Sequence, residues 1–168
     1  MTHSQLWAPW RSEYVTADKT ERPPGCFICR YLTEASDATN FVVRRSDQTV
    51  VLLNLYPYNN GHLLIAPKAH KATLSELNDA ELLEIQHQLV LMTESLQAVI
   101  KPEGFNIGVN LGHVAGAGLP GHIHWHIVPR WNGDANFMSV CADTRVIVQS
   151  LTELYKLLTE HLRTVGQL

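Results

Sequence analysis

Residues 121–130 read Gly121-His122-Ile123-His124-Trp125-His126-Ile127-Val128-Pro129-Arg130. Three histidines stand at i, i+2 and i+4 in an apolar, β-prone setting. Side chains of a strand alternate between faces, so all three share one face, with neighbours about 6.5–7 Å apart. Ile123, Trp125 and Ile127 share the other face and point toward a core. A strand that gives one face to imidazoles carries chemistry rather than packing alone, because each buried ring has two nitrogens to satisfy. Neutral imidazole is a competent nucleophile near pH 7, and a neighbouring imidazolium can protonate a leaving oxygen. The same pattern also suits a metal site.

What lies immediately upstream narrows the reading. Gly112-His113-Val114-Ala115-Gly116-Ala117-Gly118-Leu119-Pro120-Gly121 holds four glycines in ten residues. Such a loop lets backbone N–H groups approach an anion closely. Most glycine loops are only turns, but imidazoles directly beside an anion-binding loop imply phosphoryl chemistry.

Outward from this centre the chain alternates strand and helix signals. Asn40–Arg45 and Gln48–Leu53 are rich in β-branched and aliphatic residues, with Ser46-Asp47 as the turn between them. Tyr56–Gly61 (YPYNNG) is turn chemistry, and His62–Ala66 reads as a third strand stopped by Pro67. Asp79–Ile100 is the clearest helix, capped by Asn78 or Asp79 and ended by Pro102 and Gly104. Its stripe is Leu82, Ile85, Leu89, Met92, Leu96 and Val99. Phe105–Leu111 is a fourth strand, in which Asn106, Gly108 and Asn110 alternate with apolar residues, and Ile123–Val128 is a fifth. A last helix is expected over Asp143–Val165, with Ile147, Leu151, Leu154, Leu158 and Leu162 as its stripe. This order predicts an α+β domain: an antiparallel sheet of about five strands with the long helix and a C-terminal helix packed against it.

Composition excludes several classes of partner. The 168 residues are 45% hydrophobic and 17% charged, with a formal charge of −3, enough for a real core. No basic stripe suits duplex nucleic acid or an anionic membrane surface. The N-terminal stretch reads as no signal peptide, and no apolar run approaches the roughly 20 residues of a membrane span, so a cytoplasmic location is expected. Cys26, Cys29 and Cys141 are too few for a secreted disulfide framework. Cys26-Phe-Ile-Cys29 is a Cys-x-x-Cys pair on a short helical turn (Cys26–Thr33), a metal or redox signature without the βαβ context that favours redox. Two more ligands would close a tetrahedral site.

The pattern His122-Ile-His124-Trp-His126-Ile-Val resembles the signature of the histidine-triad (HIT) superfamily of nucleotide hydrolases and transferases. The resemblance extends over most of the chain. Residues 54–70 (NLYPYNNGHLLIAPKAH) are similar to the family's nucleotide-binding hairpin and its Pro-Lys-x-His turn, and Phe105–Asn110 to the strand before its phosphate loop. Residues 129–138 (PRWNGDANFM) and the N-terminal Trp7-Ala-Pro9-Trp10-Arg11 look most like the bacterial diadenosine tetraphosphate phosphorylase branch, close to the fragile-histidine-triad hydrolases.

This resemblance implies one domain over 1–168, with an arm (1–25), a core (26–138) and a C-terminal helical extension (139–168). It implies that His124 is the nucleophile and forms a nucleotidyl-histidine. His126 would then serve the leaving oxygen, and His122 would orient its neighbours or bind metal. Asn54 would face the ribose, and His62 would line the nucleotide pocket. Asn110 with the Gly116, Ala117 and Gly118 amides would hold phosphate, and Trp131 and Asn136 would line the second nucleoside. Zinc-bearing relatives place a Cys-x-x-Cys, a distal histidine and the first triad histidine on one ion, which implies zinc on Cys26, Cys29, His70 and His122. No organic cofactor is expected. The family further implies a homodimer, with Trp7, Trp10 and Tyr14 packing as a staple or covering the partner's pocket. One departure from the branch is Gly118, where some phosphorylases carry a hydroxyl residue against phosphate.

Overall fold

The computed structural model describes residues 25–134 and 147–168. The aromatic arm, Asn136, Cys141 and the first residues of the expected last helix lie outside them. Helix α1 (Phe27–Glu34) starts at Cys26, whose thiol accepts from the Cys29 N–H. Strands β1 (Val42–Arg45), β2 (Thr49–Leu53) and β3 (Leu63–Pro67) follow. Helix α2 spans Asp79–Ile100 as the periodicity predicts. Asn78 and Glu81 form a reciprocal capping box that satisfies its first free N–H groups. Strands β4 (Gly104–Val109) and β5 (Trp125–Arg130) precede helix α3 (Leu151–Thr164).

The strands form one antiparallel sheet in the order β1-β2-β3-β5-β4. Helices α2 and α3 cover one face. There Ile85, Leu89, Met92 and Leu96 of α2 and Leu154, Leu158 and Leu162 of α3 meet Val51, Leu53, Leu63 and Ile65. Ile123, Trp125 and Ile127 join the same cluster, so the alternation read from the triad holds. On the opposite face α1 lays Ile28 and Tyr31 over Val42, Val50, Leu52, Leu64 and Ala66. Helix α1 thus covers the β1–β3 side of that face. The remaining side belongs to β5 and β4, where His126 has Gly108 as its cross-strand partner.

Several details differ from expectation. Strand β5 begins at Trp125, not Ile123, and runs on through Pro129 to Arg130, so of the three histidines only His126 lies within the ladder. His122 and His124 form the lead-in, where the Ile123 N–H donates to the Lys71 carbonyl instead. Pro67 closes β3 as its last residue rather than standing outside it. The last helix starts at Leu151, because the Ser150 side chain accepts from Glu153 N–H and caps it there; Ile147 is therefore not on its stripe. Leu82, counted in the α2 stripe, is exposed because it stands at the solvent edge of the first turn.

Candidate functional site

Two clusters flank residue 122. The first gathers Cys26, Cys29, His70 and His122, each offering one ligand atom, all within 4.8 Å of one another. Cys26 Sγ is 3.1 Å and Cys29 Sγ 3.6 Å from His122 Nδ1, and Cys29 Sγ is 3.3 Å from His70 Nδ1. A tetrahedral zinc with bonds of about 2.1–2.3 Å has ligand–ligand edges of about 3.4–3.8 Å, and the quoted spacings lie within a few tenths of an ångström of that range. The chemistry of the donors fits as well. His122 Nε2 is 2.8 Å from the Pro67 carbonyl, which can only accept, so the ring proton is on Nε2 and the Nδ1 lone pair faces the thiols. Burial, with His70 and His124 nearby, keeps His122 on the neutral side, while the Pro67 bond works against that. Burial and the adjacent Cys26 push the Cys29 thiol up. Gly121 is packed beside the cluster: a Cβ there would stand 3.6 Å from His70 Nε2.

The second cluster is the pair His124 and His126, whose ring centroids are 5.0 Å apart. His124 Nδ1 is 2.7 Å from the His122 carbonyl. That carbonyl accepts only, so Nδ1 carries hydrogen and, in the neutral ring, Nε2 bears the lone pair. His126 Nδ1 is 2.9 Å from His62 Nε2. Among the described residues, His126 Nε2 is buried without a hydrogen-bond partner. Across the ladder, a Cβ on Gly108 would meet nothing within 4 Å.

The remaining predicted residues fall as follows. Asn54 accepts from Tyr56 N–H and turns its amide nitrogen to His62 Nδ1 at 3.2 Å. His62 is only 1% exposed and lies beneath His126 rather than at the surface. Asn110 follows β4 and borders the glycine loop, where a Cβ on Gly116 would approach its Nδ2 to 3.9 Å. In that loop the Gly116 and Ala117 amides donate to the His113 and Gly112 carbonyls, so in this conformation two of the three expected phosphate donors are engaged internally. Trp131 lies five residues beyond His126, roughly 16 Å along an extended strand, with its indole N–H on the Lys101 carbonyl.

Three contributors had no sequence signal that singled them out. Tyr58 stacks on His126 at 5.7 Å and 18°, and its ring is tilted by 37° against His62 at 4.6 Å. Asp134 receives Arg130 Nε and NH2, Asn59 Nδ2 and Trp131 N–H, which ties the YPYNNG hairpin to the end of β5. The Arg130 guanidinium holds its carboxyl well below the usual carboxylate range. Lys71, which follows His70 in the chain, pairs with Glu81 at 2.6 Å. A repeated Tyr-Pro-Tyr or a charged residue four after Arg130 was visible in the chain, but neither spacing specifies a partner.

Fold and site together define a histidine-triad enzyme acting on nucleotides. A family model described as HIT domain matches residues 35–133. The chain is 36% identical over 159 residues to an AP-4-A phosphorylase of Mycobacterium tuberculosis, covering 92% of this chain and 82% of the relative. Among solved structures, a histidine triad nucleotide-binding protein of Sulfolobus tokodaii superposes with a TM-score of 0.68 at 24% identity, covering 84% of this chain and 94% of that one. A zinc-bound histidine triad family protein of Mycobacterium smegmatis gives the same TM-score and identity, covering 84% and 96%. The chain belongs to the HIT domain family and is one of its nucleotidyl hydrolases and transferases.

Proposed function

We propose that this enzyme cleaves dinucleoside polyphosphates of the diadenosine tetraphosphate type at an α-phosphate, by way of a nucleotidyl-His124 intermediate, with inorganic phosphate as the second acceptor. The observation that carries the reading is the His124 ring: its Nδ1–H is spent on the His122 carbonyl, which directs the Nε2 lone pair away from the backbone as a nucleophile. In the first step Nε2 forms the N–P bond, the bridging P–O bond breaks, and its electron pair departs with the leaving nucleotide. The positive charge that develops on His124 is shared through Nδ1–H with the carbonyl. In the second step a phosphate oxygen attacks phosphorus, and the N–P electrons return to Nε2. Prepositioning and the division of one displacement into two are the sources of rate. The AP-4-A phosphorylase relative supports both the substrate and the acceptor.

The same proposal assigns zinc to Cys26, Cys29, His70 and His122, supported by the four convergent donors and by the zinc-bound relative. With four protein ligands the ion is closed and structural, and it joins α1 to the lead-in of the catalytic strand. A homodimer is part of the reading: β4 is a sheet edge whose Ile107 is 48% exposed. Light scattering of the purified protein returns a mass twice that of the chain if this is right.

The deciding assay incubates the protein with diadenosine tetraphosphate, with and without phosphate, and resolves the products by anion exchange. ADP plus ATP formed only with phosphate supports the proposal. AMP plus ATP regardless of phosphate replaces the acceptor with water and makes Gly118 the suspect. No turnover under either condition overturns it.

A further inference from the structure

The segment that joins β2 to β3 closes where the Asn54 N–H donates to the His62 carbonyl at 2.9 Å. Its last three turn residues, Asn59-Asn60-Gly61, are each bound to another part of the molecule. Asn59 Nδ2 donates to the Pro129 carbonyl at 3.0 Å and to Asp134 Oδ2 at 2.8 Å. Both partners accept only, so the orientation of the amide is fixed, and its Oδ1 accepts from Asn60 N–H at 3.0 Å. Asn60 Nδ2 is 3.4 Å from Gln149 Oε1, just before α3. Gly61 lies so close to Leu96 and Ile100 of α2 and to Pro129 of β5 that a Cβ would stand 2.7–3.2 Å from their side chains. Asn-Asn-Gly is therefore a docking contact as well as a turn.

The far end of the contact is Asp134, whose side chain is 9% exposed. Its Oδ2 accepts from Asn59 Nδ2, from Arg130 Nε at 2.6 Å and from Trp131 N–H at 3.1 Å, and its Oδ1 from Arg130 Nη2 at 2.9 Å. The Asp134 N–H returns to the Trp131 carbonyl at 3.2 Å, so residues 131–134 form the turn that follows β5. Arg130 Nη1 continues to Asn106 Oδ1 on β4 at 2.6 Å. The Arg130 and Trp131 bonds belong to that turn and hold the carboxylate in place. The bond to Asn59 joins it to the hairpin. We propose that Asp134 is a positioning residue which, through Asn59, latches the 54–62 hairpin over the catalytic strand before substrate arrives.

What the latch positions is Tyr58, the neighbour of Asn59 in the chain. The Tyr58 ring lies on His126, which in turn is 5.0 Å from the His124 ring, so the hairpin walls the proposed reaction centre. Two contacts inside the hairpin shape the turn: Tyr56 N–H on Asn54 Oδ1 and Tyr58 N–H on His62 Nδ1. The Asn59 contacts with Pro129 and Asp134 fix that turn to β5. A binding wall that is formed only part of the time lowers apparent affinity by the fraction that is formed. Holding it formed removes the ordering cost at the moment of binding and leaves the bond-breaking step untouched. The latch therefore sets KM rather than kcat. The inference rests on the proposed function for its substrate, but its structural half is read without one.

The test follows amide hydrogen exchange by NMR in the ligand-free protein at Tyr56, Tyr58, Asn60 and His62, each of which has its acceptor inside the hairpin. Asn59→Asp is nearly isosteric and keeps the acceptor for Asn60 N–H, but it sets a carboxylate against Asp134 and the Pro129 carbonyl. It should speed exchange at these four amides about 10-fold or more, while the amides of β2 and α2 keep their wild-type rates. With diadenosine tetraphosphate, KM should rise about 10-fold and kcat stay within about 2-fold. Asn59→Ala and Asp134→Ala should shift both readouts the same way, and the double variant should go no further than the larger single one. Wild-type exchange in Asn59→Asp, acceleration spread evenly over the whole chain, or a fall in kcat at unchanged KM overturns the proposal. If Asp134→Ala does not fold, the two Asn59 variants decide. A wild-type enzyme inert toward dinucleotides would remove the proposed function and leave the exchange result standing.

Discussion

Replacing Glu81 by Ala is expected to lower stability by about 3 kcal/mol and to loosen the candidate metal site at Cys26, Cys29, His70 and His122. The Glu81 side chain is 4% exposed and receives Lys71 Nζ at 2.6 Å, while Lys71 is 24% exposed. Removing one partner of a fully enclosed ion pair costs about 3–5 kcal/mol; Lys71 retains contact with water, which reduces this to about 2 kcal/mol. Glu81 also accepts from Asn78 N–H as half of the α2 capping box, which adds about 1 kcal/mol. At about 2–4 °C per kcal/mol for a chain of this size, the thermal midpoint should fall by about 6–12 °C. Glu81→Gln, which keeps an acceptor for Asn78, should lose less than half of that. The functional effect follows from the backbone: Lys71 adjoins the candidate ligand His70, and its carbonyl holds Ile123 N–H at 2.6 Å. Metal affinity, read by chelator competition, should therefore fall in parallel. Lys71→Met added to Glu81→Ala should cost little more, since the two share one interaction. The pH dependence has a definite sign. Burial raises the Glu81 pKa, but the Lys71 and Asn78 hydrogen bonds and the Lys71 charge outweigh it, and the folded value lies below the ordinary one. This contribution is thus complete above about pH 4.3 and is lost as the pH falls through the folded value. A midpoint change under about 2 °C, or full additivity with Lys71→Met, would refute the reasoning.

Further outcomes are expected at other positions. His124→Ala should lower kcat on diadenosine tetraphosphate by about 10⁴-fold or more with an unchanged circular dichroism spectrum, since it removes the proposed nucleophile. Gly61→Ala should destabilise by about 1–3 kcal/mol in urea titration: φ is +79°, and the new Cβ would meet Ile100 Cδ1 at 2.7 Å and Pro129 Cγ at 3.0 Å. Cys26→Ser should lower bound metal, measured by atomic emission, well below one per chain, and strong chelation of the wild type should lower its thermal midpoint; a midpoint indifferent to chelator would count against a structural ion. Ile127→Ala, at a fully buried position on β5, should cost about 2–5 kcal/mol.

Much of this protein was legible in one dimension. The α2 stripe, the Asn78 cap and the alternation of Ile123, Trp125 and Ile127 against three histidines are repeating local patterns, and a helix or strand converts such patterns directly into faces. The Cys-x-x-Cys spacing likewise predicts one half of a metal site, because Cys26 and Cys29 are one helical turn apart. Less legible were the ends of elements. Ser150 stops the last helix short of its predicted start, and Lys71, not a neighbouring strand, takes the Ile123 N–H. Both depend on which side chain or backbone group wins a contact.

The chain by itself singled out the candidate residues: three imidazoles of fixed spacing, two thiols and a loop of glycines. Only the tertiary structure decided what state those residues are in. The proton of His124 is placed by the carbonyl of His122 and that of His122 by the carbonyl of Pro67. An imidazole has two nearly equivalent places for its proton, and the choice is made by the nearest donor or acceptor. For His124 that neighbour is two residues away in its own segment, and for His122 it is the last residue of β3.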